Sequence, residues 1–201
     1  MISEEKLKEI CNNYKIDYEK LIKKNINVLD YGNYEDICKK LEYLRDEINI
    51  EPKNIEKCPS ILYYNSEVSG VDNIKENWQF LKESKLIISN VEDCLHILST
   101  ENTELVKTYN YVLDNYGIDY MNKITSILRV SIDRIKEIEI NFKGLTKKAI
   151  IQASYSRFSI EELKEIVEVC KENKIEITGS VFNKSAEEIK QIVEVCKENK
   201  I

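Results

Sequence analysis

The last fifteen residues of this chain restate a segment that begins 26 residues earlier. Glu161 to Ile175 reads EELKEIVEVCKENKI, and Glu187 to Ile201 reads EEIKQIVEVCKENKI. Ile189 for Leu163 and Gln191 for Glu165 are the two differences. A match of that length is a duplication and not convergence on a helical pattern. A unit this short cannot bury its apolar face alone, so it has to stack on a neighbour, and the chain is restricted to a repeat architecture.

Weaker copies lie upstream. Ser126-Ile127-Leu128-Arg129-Val130-Ser131-Ile132-Asp133 aligns without gaps to Ser154–Glu161, and both align to Ser180–Glu187. Ile55-Glu56-Lys57-Cys58-Pro59-Ser60-Ile61-Leu62 matches Val91–Leu98, and a fainter copy is anchored by Asn27-Val28-Leu29. With Asn27, Ser60, His96, Ser126, Ser154 and Ser180 as equivalents, the steps are 33, 36, 30, 28 and 26 residues. Periods in this range belong to helical solenoids.

Each unit reads as two helices. Ser159 and Ser185 stand at N-cap positions with Glu162 and Glu188 three residues on, the capping-box pattern. The helix that follows sets Leu163, Ile166, Val167 and Cys170 on one apolar face. Lys171 and Lys174 fall near its C-terminal end, where positive charge suits the helix dipole. Thr178–Phe182 should turn the chain between helices. With 5 Gly and 2 Pro the sequence lacks the punctuation of an all-β chain. The expected fold is all-α: one domain over residues 1–201, a curved α-solenoid of about six helix-turn-helix repeats anchored near 27, 60, 96, 126, 154 and 180.

Two short motifs carry a resemblance. Pro59-Ser60-Ile61-Leu62 precedes a helix, and Phe80-Leu81-Lys82-Glu83-Ser84-Lys85-Leu86 ends one. Looser echoes of that ending are Tyr43-Leu44 with Ile50, Val112-Leu113 with Gly117-Ile118, and Val169-Cys170-Lys171 with Ile175. The pattern resembles the mitochondrial transcription termination factor (mTERF) repeat over about residues 18–201, with the Pro in one copy of the six. The resemblance implies stacked helix, helix and short 3₁₀ units and regulatory binding of nucleic acid.

Charge is distributed unevenly. The chain carries net −6, whereas nucleic-acid-binding members of that family are typically basic. Residues 58–120 hold 4 basic and 10 acidic groups. Residues 121–160 reverse this: Lys123, Arg129, Arg134, Lys136, Lys143, Lys147, Lys148 and Arg157 stand against Asp133, Glu137 and Glu139. Arg129 and Arg157 occupy the same place in consecutive repeats and are expected to project along one line. Fixed cations with guanidinium forks suit phosphate oxygens, so this stretch is the expected DNA or RNA contact. The acidic segment from Glu67 to Asp119 would repel phosphate and keep the footprint short. The alternative is a protein-binding adaptor or inhibitor, of phage or mobile-element type, using a concave face with Glu92, Asp93, Glu101, Glu104, Tyr109 and Tyr111.

Chemistry of other kinds is not indicated. There is no phosphate-binding glycine loop, dinucleotide fingerprint, zinc-protease motif or nucleophile elbow. The six Cys include no C-x-x-C, and one His cannot complete a Cys2His2 site, so no metal and no cofactor are expected. Cys58 and Cys94 are equivalent, as are Cys170 and Cys196, which reads as small hydrophobes on apolar helical faces. His96, between Leu95 and Ile97, reads as a turn or packing residue without a base's partner. Tyr63-Tyr64, Tyr109, Tyr111, Tyr116 and Tyr120 cluster in the middle repeats, expected to pack or to stack on bases.

The apolar runs are too short for a membrane span, and the acidic start Met1-Ile2-Ser3-Glu4-Glu5 is not that of a signal peptide. Unpaired thiols then point to a reducing cytoplasm. Heavy use of Lys, Asn, Ile and Tyr suggests an A+T-rich genome, bacterial or phage. The last copy is followed by no polar capping helix, so its apolar face is expected to meet a partner, a second copy or further repeats.

Overall fold

The computed structural model describes residues 1–63, 70–84, 86–88 and 90–199. Tyr64, Glu67, Lys85 and Ile201, named above, lie outside the described residues. Within them the chain is all-helical, without a strand. It divides into two compact units, Met1–Arg129 and Val130–Ile201.

The first unit contains α1 (Glu4–Tyr14), α2 (Tyr18–Lys24), α3 (Asn27–Tyr31), α4 (Tyr34–Asp46), α5 (Val71–Ser84), α6 (Val91–Leu98), α7 (Asn102–Tyr116) and α8 (Ile118–Lys123). Three 3₁₀ turns interrupt them, at Pro52–Lys57, Pro59–Leu62 and Thr125–Arg129. Starts are written in side chains: Ser3, Asp17, Asn33 and Asn90 each accept a backbone N–H from the helix they open. Each of the two turns near residue 55 begins with a proline, which fits a first turn but cannot donate further in.

Two of the looser endings noticed in the sequence, Leu44 with Ile50 and Cys170 with Ile175, are helix stops, and α1 ends in the same way. Ile16 N–H donates to the Cys11 carbonyl at 2.8 Å, Ile50 N–H to Leu44 at 2.8 Å, and Ile175 N–H to Cys170 at 2.8 Å. The residue before each, Lys15, Asn49 and Lys174, is left-handed, with φ of 57°, 61° and 56°. This is the reversal in which an apolar residue after the helix folds back onto its last turn. At Gly117, with φ 84° and ψ 161°, α7 closes differently: the glycine N–H itself donates to the Leu113 and Val112 carbonyls, and Ile118 opens α8.

Two asparagines one turn apart on α5 tie the first unit together. Asn77, fully buried, donates its amide to the Thr100 carbonyl at 2.7 Å and the Leu98 carbonyl at 3.1 Å. Its oxygen accepts from the Asn102 amide at 2.9 Å. Asn73 also donates to Thr100, at 2.9 Å, and accepts the Asn102 N–H at 3.0 Å. The unpaired C-terminal carbonyls of α6 and the first N–H of α7 are thereby satisfied by one face of α5. Lys40, 1% exposed, is held similarly: its ammonium meets Asp36 at 2.7 Å and the Leu62 carbonyl at 3.3 Å.

The second unit contains α9 (Ile132–Asn141), α10 (Lys147–Ser154), α11 (Ile160–Glu172) and α12 (Ala186–Glu198), with a 3₁₀ turn at Gly179–Asn183. Both capping boxes form. Glu162 N–H reaches Ser159 Oγ at 3.2 Å while Ser159 N–H reaches the Glu162 carboxylate at 2.7 Å, and Ser185 with Glu188 repeats both distances. Leu163, Ile166, Val167 and Cys170 are all buried, in a core with Ile138, Phe142, Phe158 and Phe182. The 3₁₀ turn packs on α10 and α12 packs on α11. A side chain at Gly179 would start 2.3 Å from Gln152 Cγ, so only glycine lets this turn approach α10 so closely.

Long helices begin six residues after four of the repeat anchors: Asn102 after His96, Ile132 after Ser126, Ile160 after Ser154 and Ala186 after Ser180. The expectation of two helices per unit fails at the last copy. Lys174 stops α11, and residues 175–178, which include β-branched Ile175, Ile177 and Thr178, run without helix into the 3₁₀ turn. The short step between the duplicated helices leaves no room for a helix there.

Candidate functional site

The three arginines of the basic stretch are engaged within their own units. Arg129 ends the turn at Thr125–Arg129, and its Nη1 donates to Asp93 at 3.2 Å. Arg134 sits in the first turn of α9, where Nη2 donates to the Phe158 carbonyl at 2.6 Å and Nη1 to Glu137 at 3.1 Å. It links α9 to the loop before α11, a positioning role that spacing could not reveal. The Arg157 guanidinium lies 5.4 Å from the centre of the Phe158 ring. Arg129 belongs to the first unit and Arg157 to the second.

The lysines differ. Lys123, Lys143, Lys147 and Lys148 are exposed, and Lys143 and Lys148 make no ion pair among the described residues. Thr146 caps α10 by accepting the Ala149 N–H at 3.2 Å, so Lys147 and Lys148 form its first turn. Every other described α-helix whose first turn is assigned opens with Asp or Glu there, and α10 opens with none. A helix N-terminus carries the equivalent of about half a positive charge, so a lysine pair there costs a few tenths of a kcal/mol each, roughly, where an anion would gain as much.

The acidic candidates are mostly committed to local partners. Glu92 and Asp93 occupy the first turn of α6, where Asp93 holds Arg129 and Glu92 lies 3.9 Å from both Lys24 and His96. Glu101 precedes α7 and accepts the Thr103 hydroxyl at 2.7 Å, and Glu104 pairs with Lys107 at 2.7 Å. Tyr109 meets Phe80 edge-on, ring centres 5.0 Å apart, and the Tyr111 carbonyl accepts from Asn115. These carboxylates stand in or just before the first turns of helices and are held by local partners, so they are not an uncommitted acidic surface.

Sequence reasoning missed one pair. Cys58 Sγ lies 3.2 Å from His96 Nδ1 and 3.3 Å from Ser60 Oγ, so two residues read as equivalent repeat positions converge on one sulfur. His96 is inside α6 and not at a turn, and Cys58 stands between two 3₁₀ turns and not on a helical face, because Pro59 starts a new turn after it. The shared register of Ser60 and His96 was the available signal. Cys58 is 1% exposed and burial pushes its thiol up, while burial first and Arg129 second push His96 down from its ordinary value. Both partners are therefore neutral near pH 7, and the contact is a part-buried thiol–imidazole hydrogen bond, with the sulfur enclosed and the ring half-buried. Cys94 is pushed up to about 11 by burial, and no cluster of metal-binding side chains occurs among the described residues.

The His96 shift has a measurable consequence. Its folded-state value lies below the unfolded one, so its contribution is complete above about pH 6.5 and is lost as pH falls through the folded value. The facing groups are Cys58, Glu92, Asp93, Arg129 and Lys24. Urea midpoints taken from pH 7.5 to 5.5 should decline in the parent and decline less in His96→Gln. Equal slopes would show that His96 does not titrate differently on folding.

No family profile, curated protein or solved structure matches this chain. No described helix is long and apolar enough to cross a membrane.

Proposed function

We propose that the chain is a non-enzymatic helical-repeat protein of the reducing cytoplasm, an mTERF-like α-solenoid of about six units, that binds the phosphate backbone of a nucleic acid. The recurring six-residue offset between anchor and long helix supports the repeat reading. The observation that carries the function is the first turn of α10, which contains no acidic residue and holds exposed Lys148, with exposed Lys143 four residues before the helix. A phosphate there would meet lysine ammonium groups together with a helix N-terminus. Arg129 and Arg134 leave the binding set because Asp93, Glu137 and the Phe158 carbonyl hold them.

Counterion release sets the expected scale. Two phosphate contacts, at Lys143 and Lys148, give a slope of about −1.8 in log affinity against log salt, or about 12-fold between 50 and 200 mM. Binding of labelled single- and double-stranded DNA and RNA should show this slope. The variant Lys143→Glu/Lys148→Glu should abolish it with a circular dichroism melt no lower than the parent's. No binding at low salt, or a slope indifferent to the double change, overturns the reading.

Protein binding is the second reading. The paired carboxylates of the acidic middle do not favour it, but the outward face of α12 does. Ile192 and Val195 are 45% and 56% exposed, while their duplicates Ile166 and Val169 are 0% and 3% exposed.

A further inference from the structure

The duplication makes the second unit its own control. In α11 and α12 the same side chains recur at a step of 26 residues, so differences in burial report neighbours and not composition. Leu163 and its counterpart Ile189 are both buried, as are Ile160 and Ala186. That row faces the core in both helices. A second row behaves differently: Ile166, Val169 and Cys170 are covered, and Ile192, Val195 and Cys196 are open or half-open.

The second row is covered in α11 because α12 packs on it. Two polar contacts accompany that packing. Lys190 of α12 reaches the Glu165 carboxylate at 3.3 Å, and Lys197 reaches Asn173 Oδ1 at 3.2 Å. On α12 the corresponding acceptors are Gln191 and Asn199, both exposed. So α12 presents the apolar row and both acceptor positions that α11 uses to hold its neighbour, with one carboxylate exchanged for an amide. A shallow groove of about 370 Å³, lined by Lys184, Glu188, Gln191, Ile192, Val195 and Cys196, runs along this face.

From this continuity with the α11–α12 interface we infer that the outer face of α12 is a docking surface for a repeat-type helical segment of a partner protein. Its recognisable chemistry is that of residues 179–197: an aromatic in a 3₁₀ turn, as Phe182, then a Ser-capped helix. That helix carries branched aliphatics at the positions of Ile189 and Val193 and lysines seven residues apart, as Lys190 and Lys197. It lies parallel to α12, as α12 lies on α11. The opposite end of the chain offers no such face: α1 turns Leu7, Ile10 and Cys11 inward and exposes Glu4, Glu5, Lys8, Glu9, Asn12 and Asn13. The partner segment is therefore repeat-like without being the α1 end of a second copy. This inference is independent of the phosphate reading.

The probe is a fluorescent peptide of residues 176–199, titrated into the full-length chain and followed by anisotropy. Saturable binding is expected, weakened at least about tenfold when the chain carries Ile192→Glu or Val195→Glu, both exposed changes that leave the melt intact. In the peptide, Ile189→Glu should abolish binding and Ile192→Glu should not, since only the first lies on the row that docks. A peptide that instead displaces the chain's own α12 from α11 would bind indifferently to Val195→Glu. That indifference, or no binding at about 1 mM peptide, overturns the inference. So does a dimer in sedimentation that Val195→Glu dissolves while the peptide fails to bind, which would assign the face to a second copy.

Discussion

Ile166→Ala should lower the unfolding free energy by about 3–4 kcal/mol, and Ile192→Ala by less than about 1, although the two residues hold the same place in a duplicated sequence. Ile166 is fully enclosed among Leu163, Val167, Cys170 and the α12 side chains, so truncation removes transfer energy and leaves a cavity. Ile192 keeps 45% of its surface in contact with solvent, so truncation there removes little that folding had buried. Urea unfolding of both variants, at two protein concentrations, measures the contrast. Equal costs would mean that α12 does not cover α11 as described. A large cost at Ile192 that grows with protein concentration would mean that the outer face is already occupied by another copy.

Asn77→Ala should cost about 3 kcal/mol in the same assay, an unusual loss for a polar residue. Truncation removes the donor that satisfies the Leu98 and Thr100 carbonyls and the acceptor that holds the Asn102 amide, all in or beside the buried end of α6. Asn77→Asp is the sharper variant. It keeps the shape and the acceptor for Asn102 but brings a carboxylate against two carbonyl oxygens in a fully buried place. It should cost at least as much as Ala at neutral pH. A change within about 1 kcal/mol of the parent for both variants would show that α5 does not hold the α6–α7 junction.

Local signals were legible in the sequence, and they were legible because they act over a turn or two of chain. The Ser159 and Ser185 capping boxes, the apolar face of Leu163, Ile166, Val167 and Cys170, and the all-helical class follow from spacing alone. The endings that carried the resemblance, Leu44 with Ile50 and Cys170 with Ile175, are visible as patterns. Their physical content is a left-handed reversal with a backbone hydrogen bond. What spacing could not supply is anything set by a neighbour from another part of the chain. Arg134 looked like a surface cation and is a bridge to the Phe158 carbonyl; His96 looked partnerless and meets Cys58, 38 residues away.

The sequence by itself determined where helices start, where they stop and which face of each is apolar, because caps, reversals and periodicity are properties of short segments. Only the tertiary structure decided which arginines and carboxylates are engaged by partners and which of two near-identical helices keeps its face open. Burial and ion pairing are conferred by what packs alongside, and α11 and α12 share a sequence without sharing a neighbour.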